Sequence, residues 1–292
     1  MARKSKRKNP LKLSFTAITV VLCIVIGYFL KTTAPAPETD KDFVKVIDVG
    51  QAECILVYSN GYSALIDTGL ATYSGEVASS LSEWGIEKLD VLMISHLHDD
   101  HSGGIPDLLE LFSVDNLILP ELSVESEGIS DAQFAINAVT KSGGKIFNAV
   151  QGMNFSVGEF EFTILASYGD MDDENNRSVI TVAKIGDIKF LFTGDAEETV
   201  ETKLLEENIN LKCDVLKAGH HGSRTSSSED FLRAVNPRYA LISCGEENMY
   251  GHPHNEVLAR LEEISAKVYR TDRDGDVTMY VDDGKIKVET EK

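Results

Sequence analysis

The sequence predicts an α/β protein in which two β-sheets pack face to face between outer helices, a four-layer αββα sandwich. Two observations lead to this prediction. Short apolar runs of strand length alternate with amphipathic helical segments, and the strand runs dominate each half of the chain. The length of 292 residues and the hydrophobic content of 42% also suit one large packed domain.

The first half of the domain opens with three short predicted strands. Asn60-Gly61, between the second and the third, is a strong signal for a tight hairpin. The nearly continuous apolar run at Leu89–Ser95 is typical of a buried strand, and Pro106 suits the first turn of a helix. The predicted strands are Phe43–Val49, Cys54–Tyr58, Tyr62–Ile66, Leu89–Ser95, Asn116–Leu119 and Lys145–Ala149, and the helices are Gly75–Trp84, one from Ile105, and Asp131–Ser142.

The second half is richer in strands. A turn at Gly186-Asp187 separates two of them. The predicted strands are Asn154–Val157, Glu159–Leu165, Ser178–Ile185, Lys189–Thr193, Asp214–Ala218, Tyr239–Ser243, Lys267–Tyr269, Asp276–Val281 and Lys285–Glu289. The predicted helices are Glu197–Glu207, Ser227–Val235 and Asn255–Ser265.

The residues before the domain are predicted to anchor it in a membrane. Residues 1–12 contain six Lys/Arg and form a basic cytoplasmic tail, whereas residues 13–30 are uncharged and apolar. Such a run just spans a hydrocarbon core of ~30 Å, and the basic tail predicts a single-pass signal-anchor in the cell membrane with the domain outside. Residues 31–41 form a linker, and the folded domain covers residues 42–292. The alternative is a secreted protein after signal cleavage.

The charge distribution excludes one class of function. The net charge is −19, and because the first 30 residues are basic, the rest of the chain carries −25. A general nucleic-acid binder needs a basic surface, so this class is excluded. A local basic groove, or a metal ion that recruits phosphate, remains open.

The seven histidines fall into three clusters, each after the end of a predicted apolar strand. Ligand sites gather at the carboxyl ends of strands in α/β proteins, so we expect the clusters to meet in one cleft. The clusters are His96, His98 and His101; His220 and His221; and His252 and His254.

The first cluster, HLHDDHSGG in one-letter code, predicts a chelating loop. His96 and His98 are two residues apart and point the same way in an extended loop, and Asp100 and His101 follow before a Gly-Gly pair at which the chain can bend. Imidazole and carboxylate ligands suit zinc, with manganese as the alternative. There is room for one or two divalent ions, one at His96 and His98 and the other at Asp100 and His101.

These residues resemble the metallo-β-lactamase superfamily. HLHDDH reads as its H-x-H-x-D-H signature, and LIDTG at 65–69 and LFTGD at 191–195 match its other strand-end motifs. Four segments, VIDVGQAECILV, LKAGHHGSRTSSSEDFL, YGHPHNEVL and YRTDRDGDVTMY, look like the extracellular metallo-β-lactamase-like hydrolase domain of ComEC-type competence proteins. The resemblance covers residues 43–288 and implies the metallo-β-lactamase-like sandwich and a metal-dependent hydrolase.

The resemblance implies the metal ligands. His96 and His98 correspond to ligands of a first ion, and Asp100 and His101 to ligands of a second. Asp195 corresponds to the carboxylate that bridges both ions, with a helix N-cap as the alternative. Asp100 is also expected to hold the attacking water, which makes it a catalytic residue.

The resemblance implies further roles around these ligands. Asp67 corresponds to an acid that orients a ligand histidine, with a turn-forming role as the alternative. One residue of the His220–His221 pair completes the second metal site. We favour His221 as the ligand and His220 as a catalytic group that contacts substrate or transfers a proton. His252 is expected to be a substrate contact or general acid, and His254 to be part of a helix start.

One departure from the superfamily pattern concerns the first ion. Many members supply another histidine from the region before the bridging aspartate, but residues 172–178, DDENNRS, contain none. The ComEC-like subgroup resembles this chain in having Asn and Ser there. Asn176 and Ser178 either ligate weakly, bind substrate or cap the loop. A single tightly held ion is therefore an alternative to two.

The segment after the histidine pair suggests an anion site. Ser226 and Glu229 have the spacing of a capping box at a helix start. A helix N-terminus with Ser223 and Arg224 nearby suits a phosphate, and simple capping beside a solvated arginine is the alternative.

The sequence thus predicts a membrane-anchored extracellular metal-dependent hydrolase. Phosphodiester cleavage by a nuclease-like enzyme is favoured, on DNA or on a cell-wall or other extracellular phosphodiester. A β-lactamase-type amide hydrolase and a non-catalytic binding domain are the alternatives. No obligate protein partner is evident.

Overall fold

The computed structural model describes residues 41–292, which form two β-sheets packed face to face with helices on both outer faces. The predicted αββα architecture is confirmed. The predicted membrane span at residues 13–30 lies outside the described residues. Among residues 41–292, no helix is long and apolar enough to cross a membrane.

Fifteen strands build the two sheets within residues 41–292. They are β1 (Asp42–Val46), β2 (Ile55–Ser59), β3 (Tyr62–Ile66), β4 (Lys88–Met93), β5 (Ser113–Leu119), β6 (Lys145–Asn148), β7 (Asn154–Val157), β8 (Phe160–Ala166), β9 (Ile180–Ile185), β10 (Ile188–Phe192), β11 (Val215–Lys217), β12 (Tyr239–Ile242), β13 (Lys267–Arg270), β14 (Val277–Asp282) and β15 (Lys285–Thr290). The first sheet has the order β15-β14-β1-β2-β3-β4-β5-β6 and the second β13-β12-β11-β10-β9-β8-β7. Pairing is parallel from β3 to β6 and from β10 to β13.

The helices of seven or more residues pack on the outer faces of the sheets, and two four-residue helices lie in connecting loops. They are α1 (Ser74–Glu83), α2 (Asp99–Ser102), α3 (Ile105–Leu111), α4 (Ile129–Ser142), α5 (Glu198–Glu206), α6 (Glu229–Val235), α7 (Asn255–Glu263) and α8 (Thr271–Asp274). The sequence patterns did not predict α2 and α8, because four residues are too few to display a helical period.

The core has three apolar layers, and strand alternation explains them. In β2, Ile55 and Val57 point into the layer between the sheets, while Leu56 and Tyr58 point into the layer under α1, α3 and α4. A third layer lies between the second sheet and α5, α6 and α7. Both faces of the central strands are therefore buried, which is why their sequences are continuously apolar.

Two local predictions were wrong, the first in its physical reason and the second in its hydrogen bonds. Gly103 and Gly104 have ordinary right-handed helical φ values, so they are needed for space and not for a bend: a Cβ on Gly104 would lie 2.6 Å from the carbonyl oxygen of Thr68. The predicted capping box at Ser226 and Glu229 does not form. The Ser226 hydroxyl donates instead to the carbonyls of Gly219 and Ser223.

Candidate metal centre

The three histidine clusters meet where the carboxyl ends of the parallel strands from both sheets come together. The loop after β4 supplies His96 to His101, the loop after β10 supplies Asp195, and the turn after β11 supplies His220 and His221. A cavity of about 470 Å³ opens there. Its lining residues are Gln51, Leu70, His98, Asp99, Asp100, Glu127, Asn175, Asp195, His220, His221, Tyr250 and His252.

Four of the predicted ligands form a compact group of donors. Asp100, His101, Asp195 and His221 each offer an atom within 4.8 Å of the others. His101 Nε2 lies 3.2 Å from Asp195 Oδ1, and His221 Nε2 lies 3.2 Å from Asp100 Oδ2 and 3.4 Å from Asp195 Oδ2. His101 Nε2 and Asp195 Oδ1 are buried without a hydrogen-bond partner. Because buried polar atoms are normally satisfied, this donor set fits a divalent cation of the zinc type.

The two imidazole rings of this group are held from behind. His101 Nδ1 donates to Asp67 Oδ2 over 2.7 Å, and His221 Nδ1 donates to the Ser243 carbonyl over 2.8 Å. Asp67 in turn accepts both the backbone N–H and the hydroxyl of Ser95, each at 2.7 Å. The Nε2 atoms are therefore directed to the centre, as ligand histidines require.

The carboxylates of the donor group also change the pKa values of its two imidazole rings. Burial opposes a charge on His101, but the carboxylates of Asp195 and Asp67 raise the pKa of this ring well above its ordinary value. For His221, burial is likewise outweighed by Asp195 and Asp100, which raise its pKa to about 9. The same pairs lower the pKa of Asp195 well below its ordinary range, against the effect of burial.

The residues predicted for a first ion make a smaller group beside this one. One nitrogen of His96 lies 3.1 Å from a nitrogen of His98, and burial lowers the pKa of His96 well below its ordinary value. Ser178 and Asn176, which were predicted to ligate weakly, bind substrate or cap the loop, accept backbone N–H groups of Asp195 and Glu197, respectively. Both oxygens thus already stabilise the loop.

His220 and His252 line the cavity outside the donor group. His220 Nδ1 donates to Glu197 Oε1 over 3.2 Å, and its Nε2 is 3.8 Å from Asp195 Oδ2. The Gln51 amide donates to His252 Nδ1 over 3.3 Å, so this nitrogen acts as an acceptor. Burial and the neighbouring histidines lower the pKa of His252 to about 4, which leaves the ring neutral at pH 7.

His220 and His221 occupy a strained turn. Their φ angles are 47° and 52°, in the left-handed region that non-glycine residues rarely adopt. Two such residues in succession cost free energy, on the order of 1–3 kcal/mol each, and such strain clusters at functional sites. The turn directs the two rings to different places, His221 into the donor group and His220 to the cavity wall.

The predicted anion site is not brought into the cavity. Arg224 is exposed, and Ser223 is buried with its hydroxyl 3.0 Å from that of Thr225. Just before α6, this chain's own carboxylate Glu201 accepts the backbone N–H groups of Ser227 and Ser228.

Several residues of the site were missed from the sequence. Ser95 and Ser243 act through hydrogen bonds that no spacing reveals. Gln51 connects two loops, since its Oε1 accepts the N–H of Gly245 and its amide reaches His252. Tyr250 is 61% exposed at the cavity wall, and its ring stacks on that of His252 at 5.7 Å. Its position within the YGHPH segment was the available signal.

Comparisons with known proteins identify relatives of this chain. The model of the metallo-beta-lactamase superfamily matches residues 47–246. ComE operon protein 3 of Bacillus subtilis is 30% identical over 285 residues, with 91% of this chain and 36% of that protein covered. Recombination protein 2 of Haemophilus influenzae is 32% identical over 279 residues, with 94% and 32% covered. The chain thus spans about a third of the length of these relatives.

The fold also has solved counterparts. The metallo-beta-lactamase fold protein YhfI from Bacillus subtilis has a TM-score of 0.57 at 15% identity, with 82% of this chain and all of that chain covered. This likeness concerns the fold alone. The resemblance predicted from the motifs is confirmed by the family match and by the identity to ComE operon protein 3, and the chain belongs to the metallo-β-lactamase superfamily.

Proposed function

We propose that this chain is a metal-dependent hydrolase that cleaves phosphodiesters. The observation that carries the proposal is the donor group of Asp100, His101, Asp195 and His221, with its unsatisfied buried atoms at the base of an open cavity. One relative is named as a recombination protein, which is consistent with a nucleic-acid substrate. A cell-wall or other extracellular phosphodiester fits the same chemistry.

The chain's own residues define the reaction geometry. A bound divalent ion would supply positive charge to the phosphoryl oxygens and lower the pKa of a water molecule. Asp100 and Asp195 would offer carboxylate oxygens to that ion. Asp67 accepts the Nδ1–H of His101, which leaves Nε2 of this ring free to bind the ion. His220, held by Glu197, is positioned to give a proton to a leaving group. His252 is neutral at pH 7 and suits a hydrogen bond to substrate.

We propose one tightly held ion, with zinc favoured and manganese as the alternative. The four-residue group offers two imidazoles and two carboxylates, whereas His96 and His98 offer two imidazoles without a third histidine. A second ion would therefore bind more weakly.

The cellular position is proposed from the sequence. Residues 13–30 would anchor the chain in the cell membrane, and the basic residues 1–12 would keep the N-terminus inside. The hydrolase domain would then act outside the cell on phosphate-containing substrates.

The test combines metal analysis with a substrate screen. Full-length protein is purified in detergent, exposed to zinc or manganese, and measured for bound metal and for hydrolysis of a dinucleotide, single-stranded DNA and a model phosphodiester. Bound metal with phosphodiester hydrolysis is expected. A fully metallated protein that cleaves only a β-lactam would indicate the amide hydrolase, and one inert on all substrates would indicate a binding domain.

A further inference from the structure

A buried ion pair joins the two sheets beneath the cavity. Lys217 is the last residue of β11, and Glu53 lies just before β2, in the other sheet. The Lys217 ammonium donates to Glu53 Oε2, and both side chains are completely buried. Burying two charges costs much of what their attraction gains, and an apolar pair of similar volume would pack the sheets at least as well. Packing alone therefore does not explain the pair.

The pair has a specific relation to two proposed ligands. The backbone N–H of Glu53 donates to the carbonyl of Asp100 over 3.0 Å. On the other side, the Lys217 ammonium donates to the carbonyl of Ala218 over 3.1 Å, directly before the strained turn that carries His221. A continuous chain of bonds thus runs from Asp100 through Glu53 and Lys217 to the His221 turn.

The Oε1 atom of Glu53 is buried without a hydrogen-bond partner, so this carboxylate is held by Lys217 through one oxygen only.

From these contacts we propose that Glu53 and Lys217 are positioning residues, which set the separation of Asp100 and His221 across the two sheets and so determine the metal affinity. This inference rests on the proposed metal centre. Neither residue touches the donor atoms. They would act through the backbone of Asp100 and through the turn that follows Ala218.

The test measures zinc affinity in the full-length protein by competition with a chromophoric chelator. Glu53→Gln and Lys217→Met are each expected to weaken zinc binding about 10- to 100-fold, the range for residues that orient ligands. Lys45→Met is the matched control, since Lys45 is also a buried lysine in an ion pair, at 2.7 Å from Asp276, but has no bond to a ligand loop. Its zinc affinity should equal that of the wild type.

The double variant Glu53→Gln/Lys217→Met separates positioning from stability. Removing both charges leaves no unpaired ion, so the double variant should show a wild-type circular dichroism spectrum while its zinc affinity stays low. Lys217→Arg keeps the positive charge and should recover part of the zinc affinity. Folded single variants with wild-type zinc affinity would overturn the inference. A double variant that binds zinc with wild-type affinity would also overturn it, and so would the failure of all these variants to fold in excess zinc. If the wild type itself binds no metal, the proposed function fails as well.

Discussion

The side chain of Asp67 holds His101 in one orientation: the ring Nδ1 donates to Asp67 Oδ2 over 2.7 Å, with both side chains fully buried. Asp67 adopts a φ of 60°, in the left-handed region, directly after β3. The carboxylate is fixed there by two hydrogen bonds from Ser95. The turn-forming and orienting roles considered for Asp67 are therefore compatible.

Asp67→Asn is expected to weaken zinc binding. The amide oxygen of asparagine has no full negative charge and is a weaker acceptor for the N–H of His101. The NH2 group of the amide can also face the ring nitrogen instead. We expect a loss of about 10- to 100-fold in zinc affinity. Asp90→Asn is the control, because Asp90 accepts the N–H of Ser63 from the same region of the sheet but lies outside the donor group. Equal affinities for Asp67→Asn and the wild type would contradict the assignment.

Asp100→Ala should abolish phosphodiester hydrolysis while the fold persists. The Asp100 carboxylate is 30% exposed at the cavity and makes its hydrogen bond to His221, so its removal leaves the apolar layers untouched. We expect loss of measurable turnover with an unchanged circular dichroism spectrum. Turnover within tenfold of the wild type would remove Asp100 from the catalytic machinery.

His252→Ala should lower turnover without loss of metal. General acids contribute about 10²- to 10⁴-fold, but a ring that is neutral at pH 7 supplies a contact and not a proton. The loss should therefore stay below about 10²-fold. His254→Ala serves as control, since His254 lies outside the cavity lining. A decrease above this limit would instead identify His252 as the proton donor.

The stability of the metal-free protein should depend on pH through His252. Its folded pKa of about 4 lies below the ordinary 6.5, so between these values the unfolded chain binds a proton that the folded chain does not. This contribution is present above pH 6.5 and is lost as the pH falls towards 4. Partial exposure reduces it to ~1 kcal/mol. The free energy of unfolding, measured in urea, should be lower at pH 4.5 than at pH 7. For His252→Asn this decrease should be smaller than for the wild type, by the amount given above.

The membrane anchor predicts a protease result. External protease should remove the domain from intact cells, because residues 13–30 would hold it outside the membrane. An antibody to the C-terminus reports the loss, and a cytoplasmic protein serves as control. Protection of the domain would contradict the orientation, and a mature N-terminus near Pro37 would indicate secretion.

The sequence predicted the fold and the ligand loops because both depend on local patterns. Apolar runs define the strands, and the histidine spacing of residues 96–101 belongs to one loop. Contacts between segments that lie far apart in the sequence could not be predicted. Nothing in the sequence pairs Glu53 with Lys217, since the ion pair exists only after β2 and β11 face each other. Nor does the spacing of Ser226 and Glu229 reveal that Glu201 accepts the backbone N–H groups of the two residues before α6.

The donor group draws Asp100 and His101 from the first sheet and Asp195 and His221 from the second. An ion bound there would cross-link the two halves of the sandwich, and these halves cannot separate without releasing it. Unfolding is then linked to metal release, so free zinc at 100 times its dissociation constant would add about 2.7 kcal/mol of stability. The melting temperature would consequently follow the concentration of free zinc, and the same residues would serve both catalysis and the lifetime of the fold.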